Sequence, residues 1–170
     1  YAATYATRGC PFPCTFCAAS KVSGKTVRHR SVENIMEEIK FLNKTYGVKE
    51  IHFEDDNFSA KRKLLVEFCE TLLKEDLGIT WCFPNGLRLE ILDINELRLM
   101  RRAGCYAVNV GVESGSDRVL KRMRKGITTE KMRESIAKVK SAGIDIGGFF
   151  IIGFPGETKE DILQTIKYSR

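Results

Sequence analysis

Cys105-Tyr-Ala-Val-Asn-Val-Gly-Val-Glu113 is the stretch that decides how this chain folds. Val108, Val110 and Val112 alternate with Asn109, Gly111 and Glu113, the two-residue period of a strand with one apolar face and one polar or small face. A strand inside a doubly wound sheet is covered by helices on both sides and reads as nearly continuous apolar sequence. Here one face is suited to packing under helices, and the other has to line a cavity. Ile51 and Phe53 alternate in the same way with His52, Glu54 and Asp56.

Outward from that strand the pattern repeats. Strands are expected at Tyr1–Thr7, Val48–Phe53, Ile79–Phe83, Cys105–Glu113 and Ile144–Ile152. Between them lie helical spacings with recognisable ends. Ser31 caps a helix carrying Ile35, Ile39, Leu42 and Tyr46, which Gly47 stops. Ser59 is expected to cap a second, whose apolar stripe holds Leu65, Phe68, Cys69, Leu72 and Leu73. Asp93 and Glu96 form a capping box for a third, closed by Gly104. A short helix around Val119 and Met123 precedes one capped by Thr128 or Thr129, and Thr158 caps the last. Lys21–Arg30 reads as a polar link. Strand–helix alternation of this kind requires a parallel sheet with right-handed crossovers. The fold expected is α/β: a single domain over residues 1–170 forming a partial parallel (βα) barrel with a wet interior, in which five βα units are visible.

The chain has 170 residues, enough for one domain with a real core, and no apolar run long enough to span a membrane. It carries no signal peptide and no initiator Met, and it reads as a piece of a longer protein. Its six cysteines, three clustered and three scattered in apolar segments, do not form a secreted disulfide framework. That usage suits a reducing cytoplasm. The net charge of +6 is modest. Its densest run, Lys121-Arg-Met-Arg-Lys125, suits the C-terminal turn of a helix, with a phosphate or carboxylate contact as the alternative. Nothing amounts to a nucleic-acid stripe.

The chemistry concentrates in Arg8-Gly-Cys10-Pro-Phe-Pro-Cys14-Thr-Phe16-Cys17. Three thiols lie on a loop that a glycine and two prolines keep out of regular structure. Thiolate clusters suit zinc or iron–sulfur centres. A structural zinc site takes four ligands, and no fourth Cys or His is near along the loop. Three cysteines on a cubane leave one iron open, which favours a cluster that does chemistry. A zinc loop completed by a distant cysteine, and three unliganded thiols, remain as alternatives.

The C-x3-C-x-aromatic-C pattern resembles the signature of radical S-adenosylmethionine (radical SAM) enzymes. By that resemblance Cys10, Cys14 and Cys17 are the metal ligands of a [4Fe–4S] cluster whose open iron chelates SAM, and Phe16 lies near the adenine. Phe53-Glu-Asp-Asp-Asn-Phe58 is similar to the acidic second-strand motif of the cobalamin-dependent and methylthiotransferase-like branch, which assigns Glu54, Asp56 and Asn57 to the methionine amine. Gly111-Val-Glu113-Ser-Gly-Ser116 looks like the fourth-strand motif, putting Glu113 and Ser114 at the ribose and methionyl end. Phe150-Ile-Ile-Gly153-Phe-Pro-Gly-Glu157 looks like the fifth-strand motif, whose backbone near Ile151 and Gly153 meets adenine. It departs from the fuller pattern, since Phe149 stands for a Gly and Glu157 falls one place late, which leaves Glu157 suited to the first turn of the last helix instead. Lys125 or Arg122 matches a basic residue that holds the SAM carboxylate in some relatives.

The resemblance further implies six βα units, with the sixth beyond Arg170. Its other implications are a reductant such as flavodoxin or ferredoxin, a cobalamin domain upstream, and hydrogen abstraction or methyl or methylthio transfer on an unspecified substrate. The rival classes are a ferredoxin-like electron carrier, which needs four protein ligands and no cavity, and a zinc-stabilised binding module. His52 is expected in an ordinary hydrogen-bonded role facing the interior, and Cys69, Cys82 and Cys105 as packed thiols.

Overall fold

In the computed structural model, which describes residues 1–170, the chain runs β1 (Ala2–Thr4), β2 (Thr7–Arg8), α1 (Ala19–Val22), β3 (Arg28–His29) and α2 (Val32–Tyr46). It continues through β4 (Glu50–Phe53), α3 (Arg62–Glu75), β5 (Thr80–Phe83) and α4 (Ile94–Arg102). β6 (Cys105–Glu113), α5 (Asp117–Arg122), α6 (Thr129–Ser141), β7 (Asp145–Phe150) and α7 (Lys159–Tyr168) complete it. Five strands pair in parallel in the order β1-β4-β5-β6-β7, the order in which the chain makes them. A doubly wound sheet reverses its order once. An order that never reverses, with crossovers of one hand, carries all connecting helices to one face. The barrel is not closed: β1 and β7 are edges.

The alternation in β6 comes out in the expected register. Val108, Val110 and Val112 are buried in the core, while Asn109 and Gly111 are half-buried on the opposite, concave face. Below the valines lies a group of aromatic rings. Phe53 of β4 meets Phe58, Phe68, Trp81 and Phe83 with ring centroids 5.3–5.8 Å apart, edge to face with Phe68 and Trp81 and tilted against Phe58 and Phe83. Trp81 donates its indole N–H to the Ala103 carbonyl at 2.8 Å, so the ring is buried without an orphaned donor.

Most helix ends follow from the sequence. Ser31 accepts from the Asn34 N–H at 3.2 Å, Asp93 and Glu96 form the capping box, and Thr128 accepts from the Lys131 N–H. Thr158 and Asp161 form a second box. Asp161 also accepts from Ser116 Oγ at 2.6 Å and from Arg118, tying α7 to α5. Arg118, and after it Ser116, hold this carboxyl well below the usual range.

Three expectations are corrected. Ser59 caps nothing: it sits inside a 3-10 turn, Phe58–Lys61, and its buried hydroxyl donates to Asn57 Oδ1 at 2.8 Å. The first strand stops at Thr4. Thr7–Arg8 leaves the sheet to pair antiparallel with Arg28–His29, so the supposed polar link holds a strand. Finally, Glu157 lies before the cap of α7 and turns back to accept from the Gly153 N–H at 2.5 Å. No helix is long and apolar enough to cross a membrane.

Because Phe53 is fully buried at the centre of the ring group, Phe53→Ala is expected to cost about 3–5 kcal/mol of stability. Urea denaturation of the two proteins measures this; a loss under about 1 kcal/mol would mean that the rings do not act as one core.

Candidate active site

The loop from Gly9 to Ala18 contains no regular structure and is held from three directions. At its start the Gly9 N–H donates to Asp56 Oδ2 at 2.9 Å, from the end of β4. The Cys10 N–H donates to the Gly24 carbonyl at 3.0 Å. At its far side the Thr15 N–H and hydroxyl both donate to the Met123 carbonyl, at 3.0 and 3.3 Å. Gly9 has φ +103°, and a Cβ there would collide with the Thr26 carbonyl, so no other residue fits. Two cations clasp the loop's rings: the Arg88 guanidinium lies 4.1 Å over Phe12 and the Lys125 ammonium 5.8 Å from Phe16. Arg88 also donates to the Lys125 carbonyl at 2.7 Å and sits 2.5 Å from Glu90.

The three thiols of the loop are free and share one cleft of about 150 Å³. Burial pushes the Cys10 thiol up, a backbone N–H at Phe12 opposes it, and the neighbouring Cys17 and Cys14 push it further. The Ala19 N–H, opening α1, approaches Cys17 Sγ at 3.5 Å. The other three cysteines are buried within the fold, at 0–6 % exposure. None lines the cleft.

Two adjacent carboxylates behave differently. Asp55 is buried and accepts from the Ala6 N–H at 3.1 Å, from the Thr7 N–H, and from the Thr7 hydroxyl at 2.6 Å. Burial pushes its carboxyl up, and these donors pull it back. Asp56 is exposed and lines the cleft. Asn57 lines it too; its Oδ1 is engaged by Ser59, while its Nδ2 is buried with no partner.

Across the cleft stands a buried ion pair. Lys125 Nζ donates to Glu113 Oε1 at 2.9 Å, both side chains being 9 % exposed. Glu113 has φ +64°, in the left-handed region, at a break in the β6–β7 register. Gly111 makes the room: a Cβ there would strike both the Glu113 carboxylate and the Lys125 ammonium.

The cleft therefore gathers Cys10, Cys14, Cys17, Phe16, Asp56, Asn57, Glu113 and Lys125. It does not gather Glu54, Ser114, Ile151 or Gly153. Glu54 points to the concave face and meets the cleft only through its carbonyl, which accepts from Asn85 at 3.2 Å. Ser114 is fully buried, its hydroxyl taken by Thr165 and the Ser116 N–H. Ile151 packs beside Val119 and Leu120, and the Gly153 N–H is taken by Glu157. His52 and Asn109 share the concave face but stand outside the cleft, so the common cavity expected for them is smaller than its face. Phe12 and Phe149 are cleft residues that the sequence did not mark. A ring two places after Cys10 was the available signal for Phe12. A wider groove of about 440 Å³ runs beside β1 and β2, lined by Arg8, Arg28 and Arg30, but it holds no thiol.

Comparison with known proteins gives this geometry a context. The profile described as "Radical SAM superfamily" matches residues 4–169. An uncharacterized methyltransferase of Pyrococcus horikoshii is 38% identical over 164 residues, covering 96% of this chain and 35% of that protein. The cytidylyl-2-hydroxyethylphosphonate methyltransferase of Streptomyces wedmorensis is 34% identical over 172 residues, covering 97% and 32%. The chain thus spans about a third of the length of the curated relatives it matches. Among solved structures, the radical S-adenosylmethionine methyltransferase TsrM of Kitasatospora setae, with cobalamin and a [4Fe–4S] cluster bound, superimposes with a TM-score of 0.87. It shares 19% identity, with 97% of this chain and 33% of that one covered, a likeness of fold.

Removing one member of the Glu113–Lys125 pair strands the other in a buried site. Glu113→Ala is expected to cost about 3–5 kcal/mol, and the Glu113→Ala/Lys125→Ala double variant less than the two single variants added together. Denaturation of the four proteins closes the cycle, and strict additivity would show the pair to be uncoupled.

Proposed function

Because this chain belongs to the radical SAM superfamily, we propose that its cleft binds a [4Fe–4S] cluster on Cys10, Cys14 and Cys17 together with S-adenosylmethionine. The observation that carries the reading is the count of thiols: three share the cleft, and the other three are buried away from it. A carrier cluster takes four protein cysteines. Three leave an iron for a small molecule, and the remaining cleft residues suit a zwitterion. Asp56 offers an acceptor for an ammonium. The orphaned Asn57 Nδ2 gains the partner that burial demands once an oxygen of the ligand faces it. Phe16 offers a ring beside the thiols, and Lys125 a cation for a carboxylate. When bound, the cluster supplies the electron that breaks the sulfonium bond of SAM.

The chain's own contribution is positioning. Asp56 fixes the start of the loop and Met123 its far side, so the thiols are presented from a rigid frame. The concave face holds the substrate and limits water near the reacting carbon. Transfer of a methyl group is the outcome supported by the Pyrococcus and Streptomyces relatives, with cobalamin as the partner cofactor that the acidic Asp55-Asp56 stretch and Glu113-Ser-Gly suggest. The reductant is a small electron carrier such as flavodoxin or ferredoxin, and the compartment is a reducing cytoplasm, where free thiols persist.

Anaerobic reconstitution is expected to give about four irons per chain. Cys10→Ala/Cys14→Ala/Cys17→Ala loses them, whereas Cys69→Ala and Cys105→Ala keep them; a cluster retained in the first variant overturns the assignment. Asn57→Ala is expected to weaken SAM binding by about 1–3 kcal/mol with iron content unchanged, measured by equilibrium dialysis of the reconstituted protein. Equal affinity would remove SAM from this cleft.

A further inference from the structure

Apart from the cysteine cleft, a second group of metal-binding side chains stands lower on the concave face, toward the start of the strands. Glu50 and His52 project from β4, and Cys82 from β5 directly opposite His52 in the parallel register. One ligand atom from each lies within 4.8 Å of the others. Tyr106 of β6 completes the group, donating to Glu50 Oε1 at 2.5 Å and lying beside the Cys82 sulfur. His52 Nε2 is 2.7 Å from the same Glu50 oxygen, and its ring is stacked on Tyr1 with centroids 4.3 Å apart.

We propose that Glu50, His52 and Cys82 form a zinc site that joins β4 to β5 across the floor of the concave face. The donor set is one carboxylate oxygen, one imidazole nitrogen and one thiolate sulfur, the mixture that suits a borderline divalent cation. Cys82 is held in place before any metal arrives by burial at 6 % exposure, and the His52 ring is oriented by its contact with Glu50 and by stacking on the exposed Tyr1. Glu50 uses one oxygen for both His52 and Tyr106, which leaves the other for coordination. Zinc bonds of 2.0–2.3 Å put tetrahedral ligand atoms about 3.3–3.8 Å apart, so closing the site takes side-chain shifts of about an ångström. Three protein ligands leave the fourth position to water, facing the concave surface. Tyr106 then orients the coordinating carboxylate through its hydrogen bond. The register makes the arrangement: a break in the pairing between Trp81 and Cys82 carries β6 one residue further along, bringing Tyr106 level with the other three.

The test reads zinc and iron separately on one preparation. The chain is reconstituted anaerobically with iron and sulfide, equilibrated with Zn²⁺, freed of excess metal and assayed for both elements. About one zinc per chain is expected, with Cys82→Ser and His52→Gln each binding Zn²⁺ at least about tenfold more weakly at unchanged iron content. Cys10→Ala/Cys14→Ala/Cys17→Ala is expected to do the reverse, losing iron and keeping zinc. Co²⁺ in place of Zn²⁺ is expected to give a sulfur-to-cobalt charge-transfer band that disappears in Cys82→Ser. No retained zinc, or zinc that is lost with Cys10, Cys14 and Cys17 and survives Cys82→Ser, overturns the site. The crossed pattern keeps it separate from the cluster assignment, since each metal is lost with a different set of thiols.

Discussion

Two neighbouring carboxylates carry the geometry of the cleft. Between the end of β1 and the first cysteine the backbone leaves the sheet, and its N–H groups at Ala6, Thr7 and Gly9 no longer face a strand partner. Asp55 takes the first two and Asp56 the third. Without them, buried donors would go unpaired at a cost of about 1–3 kcal/mol each. Asp55 is costly to bury in its ionised form, and the ring of donors offsets that cost. The turn that aims Cys10, Cys14 and Cys17 thus rests on the end of β4. Its far side rests on Met123 and Arg88. The proposed three-cysteine site needs such a frame, since Gly9, Pro11 and Pro13 keep the loop out of regular structure without themselves aiming the thiols.

Much of this was legible in the chain. The valine alternation in β6 has a period of two and one physical meaning, so the buried and concave faces could be assigned residue by residue. Capping residues carry a local mechanism, and Ser31, Asp93, Thr128 and Thr158 act as their chemistry indicates. What could not be read was direction at the strand ends. Asp55 and Asp56 are the same residue type at adjacent positions, yet one is sealed under β2 and the other faces the cleft. Ser114 and Gly153 lie in loops at the correct end of the sheet, but their hydrogen bonds go to Thr165 and Glu157, partners that only the folded α7 region supplies. Pairing of Thr7–Arg8 with Arg28–His29 left no hydrophobic period at all, since its residues are polar and the ribbon is two residues long. Ser59 misled for a similar reason: a hydroxyl that looks like a cap locally found a better partner in Asn57.

The concave face has two levels with different chemistry. At the carboxyl ends of the strands, where ligands of parallel folds gather, stand the thiols, the Glu113–Lys125 pair and Asn57. Toward the start of the strands stand Glu50, His52, Cys82 and Tyr106. Between them the surface is made small by Ala107, Gly147 and Gly111, the last of which lines the cleft. Exposed Phe149 continues the concave face to the unpaired edge at β7, while Phe150, the next residue along the strand, lies on the opposite face beside Val112.

The hydrogen bonds from Thr15 to the Met123 carbonyl join residues 108 positions apart. That separation has a consequence for how the protein is made. At ribosomal rates of roughly 5–20 residues per second, about 5–20 s pass between the appearance of Thr15 and that of its anchor. For that interval Cys10, Cys14 and Cys17 are on a tether with one end undefined, open to oxidants and to stray metals. The order of synthesis therefore opposes the order of assembly: the reactive thiols are made well ahead of the carbonyl that positions them, and the nascent chain has to be kept reduced until α5 has folded.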